Sequence, residues 1–240
     1  MTESVLPFLY ILAAAGFVLA IKWLNSPATA RRGVIAGEVG MLLAVVGTLL
    51  RQEVVDYQWI LIAFFIGSAV GVPLAYLMPM THVPQRTAIS HAFGALASAL
   101  IGTAEYYRHM PQGFTMAALV LETLLGFLTC TASLMAFGKL QELIPTRPIT
   151  YKGQNFVNLS LLGLAVASGI ALVISPEQTW LFPIFTALSL IFGVLLIIPI
   201  GGADMPTVIA LLNSYAGLSA SAMGFVLDNR LLIIAGALDG

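Results

Sequence analysis

His91, Glu122, Asp204 and Asn213 are the side chains in this sequence whose types and surroundings suit proton chemistry. Each lies in or beside a long apolar run, where an ionisable group costs roughly 2.5–3.5 kcal/mol to insert and so marks a candidate functional position. An imidazole, with an ordinary pKa of about 6.5, both takes and releases protons near neutrality. An asparagine amide does not titrate, but it orients a water or holds one histidine tautomer. An imidazole with such an amide near it has the parts of a proton relay. The competing reading is that His91 and Asn213 make only interhelical hydrogen bonds, which average about 0.6 kcal/mol in membrane proteins.

Helical spacing sets what accompanies each group. On the face of His91 lie Gly94, Ala95, Ser98 and Gly102; on that of Asn213 lie Gly217, Ala220 and Gly224. Both groups therefore project from stripes of small residues that let helix backbones approach closely. Counting from the helix starts puts both roughly 6–11 Å below one membrane surface, a comparable depth that leaves them able to face one another. Glu122 falls about 12 Å down from the opposite surface, near the middle, where it serves either a relay or a buried structural hydrogen bond. Asp204 stands ahead of Pro206 and beside Gly201 and Gly202. Its simplest role is to cap the helix that follows, whose amino end favours negative charge. Two adjacent glycines also suit a mouth that changes shape when a soluble domain docks.

Other polar residues point to structural roles. Glu38 and Asn158 sit near span ends, while His82 and His109 are expected in loops as solvated residues. Cys130, the sole cysteine, is expected to pack within a helix, and it excludes an intrachain disulfide. The spacing Gly33, Gly37, Gly40 lies in an apolar run with no strand before it, so it reads as helix packing rather than a dinucleotide fingerprint.

The elements that must position these groups follow from composition. Of 240 residues, 59% are hydrophobic and 9% charged. Mean hydropathy is +0.97. A bilayer core takes about 20 apolar residues per helix. The expected fold is thus all-α, a polytopic transmembrane bundle with eight complete spans at about 4–24, 33–50, 58–79, 87–104, 114–138, 154–174, 180–199 and 206–227. A ninth begins at Leu231, and the ten residues from there cover about half a membrane, so the chain is expected to be a piece of a longer one. An acidic start, MTES, argues for a permanent first span rather than a cleaved leader.

With the amino terminus outside, the inner connections hold Lys22, Arg31, Arg32, Arg86, Lys139, Arg147 and Lys152, and the outer ones only Arg51, Arg108 and Arg230. That bias selects the orientation. The longest connection, roughly 139–153, then lies inside, as an ordinary polar loop or as a contact surface for a soluble partner. The net charge of −1 excludes a basic footprint for nucleic acid.

The runs SHAFGALAS, LMAFGKL, GGADMP, LLNSYAG and LLIIAGAL, in their order here, resemble the membrane region of the β subunit of proton-translocating NAD(P) transhydrogenase. The resemblance implies one membrane domain over 1–240 that carries protons inward while hydride passes from NADH to NADP⁺ in soluble domains. It implies His91, Asn213, Asp204 and Glu122 as the family's membrane histidine, helix asparagine, mouth aspartate and membrane glutamate. It further implies partners: α-subunit membrane helices, an NAD(H)-binding domain, an NADP(H)-binding domain, and a dimer of the whole assembly in a bacterial inner membrane. Neither NADP(H) nor NAD(H) is expected to bind this chain itself. Gln85 and Arg86 stand where some relatives carry an acidic residue, so no carboxylate role is expected there. Two other functions remain open on the residues alone. A freestanding proton-coupled secondary transporter would show internal repeats and a midplane solute pocket. A purely structural anchor would tolerate loss of every polar residue named above.

Overall fold

The structure, a computed structural model, describes residues 2–51 and 56–240, and all its regular elements are helical. Seven helices are long and apolar enough to cross a membrane. They are α1 (Thr2–Leu24), α2 (Ala30–Leu49), α3 (Tyr57–Leu77), α4 (Val83–His109), α5 (Gly113–Leu140), α6 (Gln154–Ile174) and α8 (Met205–Val226). The shorter α7 (Leu181–Ile197) has 17 residues, about 25 Å of rise, and α9 (Arg230–Asp239) has ten. The chain is an integral membrane protein of the expected all-α class.

Two compact units divide it, one ending at Leu77 and the other beginning at Met78. In the first, α1 packs on α2 through glycine. Gly33, Gly40 and Gly47, spaced by seven, are the buried residues of α2. A Cβ on Gly33 would stand 2.9 Å from the Ala20 carbonyl oxygen, and one on Gly40 would stand 3.0 Å from that of Ala13. The Gly33–Gly40 spacing is thus helix packing, and it offers no room for a nucleotide. Beyond them, α3 is joined to the end of α2 by the Tyr57 hydroxyl, which donates to the Leu49 carbonyl at 2.9 Å.

In the second unit α5 is the central helix, packed against α4, α6, α7 and α8. Small residues again set the approach: Ala88, Ala92, Ala95, Ala99 and Gly102 form the buried stripe of α4. Gly126 of α5 lies so close that a Cβ there would come within 2.9 Å of the Ala99 Cβ. Gly94, expected on this stripe, is instead exposed, with nothing near its Cβ position. At one end Tyr106 is fully buried, stacked 4.3 Å from Phe182 and donating to the Pro176 carbonyl at 2.6 Å. At the other end Ala88, Ala132, Ala136, Ile197, Met205, Val208, Ile209 and Leu212 make an apolar cluster.

Helix α4 starts at Val83 rather than near 87, because Pro84 fits the first helical turn. It also continues to His109, so His109 belongs to a helix and not to a loop. It is mostly exposed, and its Nδ1 lies 2.7 Å from Glu105 Oε2.

Candidate functional site

Glu122 marks the place where α4, α5 and α8 meet. It is fully buried, and its Oε1 accepts a hydrogen bond from the Ser98 hydroxyl of α4 at 2.8 Å. The Ser219 hydroxyl of α8 donates to the Glu122 backbone carbonyl at 3.1 Å, and the two serine oxygens are 3.3 Å apart. Gly102 leaves space for the carboxyl, since a Cβ there would collide with Glu122 Oε2. That Oε2 is buried without a hydrogen-bond partner.

The contacts of Glu122 and Gly126 align the antiparallel α4 and α5. Glu122 is level with Ser98 and Gly102, and Gly126 with Ala95 and Ala99. Continuing at the same rise puts Thr129 level with about residues 93–94 and Ser133 with about residues 89–90, within roughly 3 Å of the level of His91. Glu122, Gly126, Thr129 and Ser133 share one face of α5 at i, i+4, i+7 and i+11. The hydroxyls of Thr129 and Ser133 and the Nδ1 of His91 are buried, and none has a hydrogen-bond partner. Buried polar atoms are ordinarily bonded to protein or to ordered water. A row of them over roughly 10–16 Å of α5 suits a line of water between His91 and Glu122.

His91 lies eight residues after the start of α4 and Asn213 eight after the start of α8, each about 12 Å along its helix. They stand equally far along their helices, but their directions differ. The Ser98–Ser219 contact makes Leu212 the α8 residue level with His91, and Leu212 is buried in the apolar cluster. Asn213 is one residue on, about 100° around the helix. Its amide donates to the Asp239 carbonyl at 3.0 Å and reaches Asp239 Oδ1 at 3.3 Å. Gly217 and Gly224, the small residues on its face, meet α9 at Gly236, Asp239 and Ile233. The Asn213 face is therefore the α8–α9 interface, and among the described residues no hydrogen bond joins Asn213 to His91.

Asp204 closes a single 3₁₀ turn, Gly202–Asp204, that leads into α8. It stands at the N-cap position but makes no side-chain cap bond, and it is exposed. Capping by a side-chain hydrogen bond is therefore not its role in this geometry. Of the glycines beside it, Gly202 has a packing reason: a Cβ there would lie 3.1 Å from the Thr146 Cβ, and the Gly202 N–H donates to the Thr146 carbonyl at 2.8 Å. The connection 198–204 thus rests on the loop 141–153.

Four hydroxyls of the site, those of Ser98, Thr129, Ser133 and Ser219, have no role assigned from the sequence. The i, i+4, i+7, i+11 spacing from Glu122 is the signal that points to two of them. Lys139, expected as a loop cation, is fully buried in the last turn of α5. Gln85 is half-buried, with its Nε2 directed to the Leu140 carbonyl at 3.4 Å. Asn158 joins α6 to α7 through the Leu195 carbonyl at 3.3 Å, and Glu38 lies exposed on α2. No three of His, Cys, Asp and Glu gather as metal ligands among the described residues.

Comparison with known proteins gives the family of the chain. A family profile described as NAD(P) transhydrogenase beta subunit matches residues 6–240. A relative named NAD(P) transhydrogenase subunit beta, from Rhodospirillum rubrum, is 40% identical over 249 residues, covering 100% of this chain and 53% of the relative. The same subunit from a designated strain of that species gives the same figures. The chain spans about half the length of the curated relatives it matches. It belongs to the NAD(P) transhydrogenase beta subunit family.

Proposed function

We propose that this chain is the proton-conducting membrane part of an NAD(P) transhydrogenase, coupling inward proton movement to hydride transfer from NADH to NADP⁺ in partner soluble domains. The observation that carries the reading is that His91 Nδ1, Ser133 Oγ, Thr129 Oγ1 and Glu122 Oε2 are buried without a hydrogen-bond partner, the last three on one face of α5. In it His91 is the switch: its imidazole takes a proton from one side and returns it to the other. Glu122, served by hydroxyls that both donate and accept, passes the proton between the row and the opposite surface. Asn213 acts through α9 rather than on His91 directly, holding the α8–α9 pair together and thereby placing the wall of the path. Asp204 presents its exposed carboxylate at the mouth, where an NADP(H)-binding domain would dock.

On this reading the mouth faces the cytoplasm of a bacterium, the amino terminus lies outside, and α-subunit membrane helices, an NAD(H)-binding domain and a second copy of the assembly complete the enzyme. No hydride-transfer site belongs to residues 1–240. The loop 141–153 and the connection 198–204 form the surface that a soluble domain would meet.

The test is proton uptake by vesicles carrying the assembled full-length enzyme, measured together with hydride transfer between the nucleotides. Replacing His91 by Ala is expected to abolish proton uptake while leaving the assembly intact. Coupled turnover equal to that of the parent would defeat the assignment. Solute uptake by this chain alone, without nucleotide domains, would favour a freestanding transporter instead.

A further inference from the structure

We propose that Lys139 is a positioning residue, a clamp that ties the α7–α8 connection to the end of α5 so that movement at the mouth is transmitted to α8. The inference rests on the proton-path reading above. Lys139 Nζ donates to the Ile198 and the Ile200 carbonyls, each at 2.6 Å. Those oxygens lie just beyond the last turn of α7, at the helix end that favours a cation. The side chain is fully buried, and among the described residues no carboxylate pairs with it. Its charge is thus satisfied by backbone oxygens of one short connection.

The same connection is held twice more from the loop that follows Lys139. The Ile149 N–H donates to the Ile198 carbonyl at 3.2 Å, and the Gly202 N–H donates to Thr146 at 2.8 Å. The loop is in turn anchored on α5, where the Leu143 and Ile144 N–H groups both reach the Gly138 carbonyl. Shortly after Ile200, α8 begins at Asp204 and Met205, and Met205 is fully buried. A stiff helix starting there carries any shift of the connection to Ser219, beside Glu122, and to Asn213. An apolar side chain would fill the same space for a static joint, and buried charges are often replaceable that way without loss of stability. An ammonium adds what such a side chain lacks, donors that hold both carbonyls to the end of α5.

The experiment uses the full-length beta subunit assembled with its partner subunit in sealed vesicles, and reads protons moved per hydride transferred. Lys139→Met is expected to lower that ratio roughly fivefold or more. Lys139→Arg is expected to restore most of it. A disulfide between Thr146→Cys and Gly202→Cys re-ties the connection to the loop. In the Lys139→Met background its oxidation should recover the ratio and reduction should lose it again. The cysteine pair with Lys139 intact is the reference.

If Lys139→Met does not assemble, the oxidised and reduced triple variant supplies the comparison. An unchanged ratio in Lys139→Met, or equal ratios in the two redox states, would overturn the clamp. A His91→Ala control separates the two ideas. If it keeps the ratio, the path itself is wrong; if it abolishes the ratio while Lys139→Met does not, only the clamp fails.

Discussion

Gly102 of α4 lies where any Cβ would strike the carboxyl of Glu122 on α5. The absence of a side chain at one position thus makes room for a buried acid at the other. Gly102→Ala should push the carboxyl off Ser98 and destabilise the fold by about 1–3 kcal/mol, as overpacking does. Thermal unfolding in detergent measures this. Glu122→Gln keeps an acceptor for Ser98 and should hold the stability, yet lower proton-coupled turnover by about 10²-fold or more. Full turnover in the Gln variant would leave Glu122 a structural residue.

A double-mutant cycle distinguishes contact from mere equality of depth. Because Asn213 is bonded to Asp239 and turned from His91, the pair His91→Ala and Asn213→Ala should show a coupling energy below about 0.5 kcal/mol in unfolding. Ser98→Ala with Glu122→Ala, which removes both partners of a 2.8 Å hydrogen bond, should couple by about 0.5–3 kcal/mol. The reverse order would mean that α8 is rotated relative to its place here.

Asp204 and Asn229 both stand ahead of a helix, but only Asn229 caps, accepting from the Leu232 N–H at 3.2 Å. Asn229→Ala should cost about 0.5–2 kcal/mol. Asp204→Asn removes only a charge near a helix end and should cost no more than about 1 kcal/mol. If Asp204→Asn nevertheless uncouples proton movement from hydride transfer, its carboxylate serves the mouth. Stability and proton-to-hydride ratio, taken on the same samples, decide this.

Within the first unit the two glycines Gly37 and Gly40 should respond differently. A Cβ on Gly40 would lie 3.0 Å from a backbone oxygen of α1, whereas one on Gly37 would touch the Ala20 Cβ at an ordinary 3.4 Å. Gly40→Ala is expected to loosen the α1–α2 pair by about 1–3 kcal/mol, and Gly37→Ala by much less. Proteolysis rates of the 25–29 turn in detergent report the difference.

The helical class and the place of each polar group along its helix are legible in the order of amino acids alone. Uninterrupted apolar runs in a chain with 9% charged residues leave only helices, because the bilayer supplies no partner for backbone N–H and C=O groups. The fixed rise of a helix then puts His91 and Asn213 each about 12 Å from the start of its helix. Rotation is what only the tertiary structure decides. Leu212 and Asn213 are neighbours in sequence yet lie about 100° apart around α8, and which of them meets α4 depends on how the small residues of three helices interlock. The fate of Lys139 depends likewise on a connection about 60 residues further along, whose carbonyls fold back over it. Period and composition act along one helix. Facing and burial are settled between helices, by contacts that no local spacing encodes.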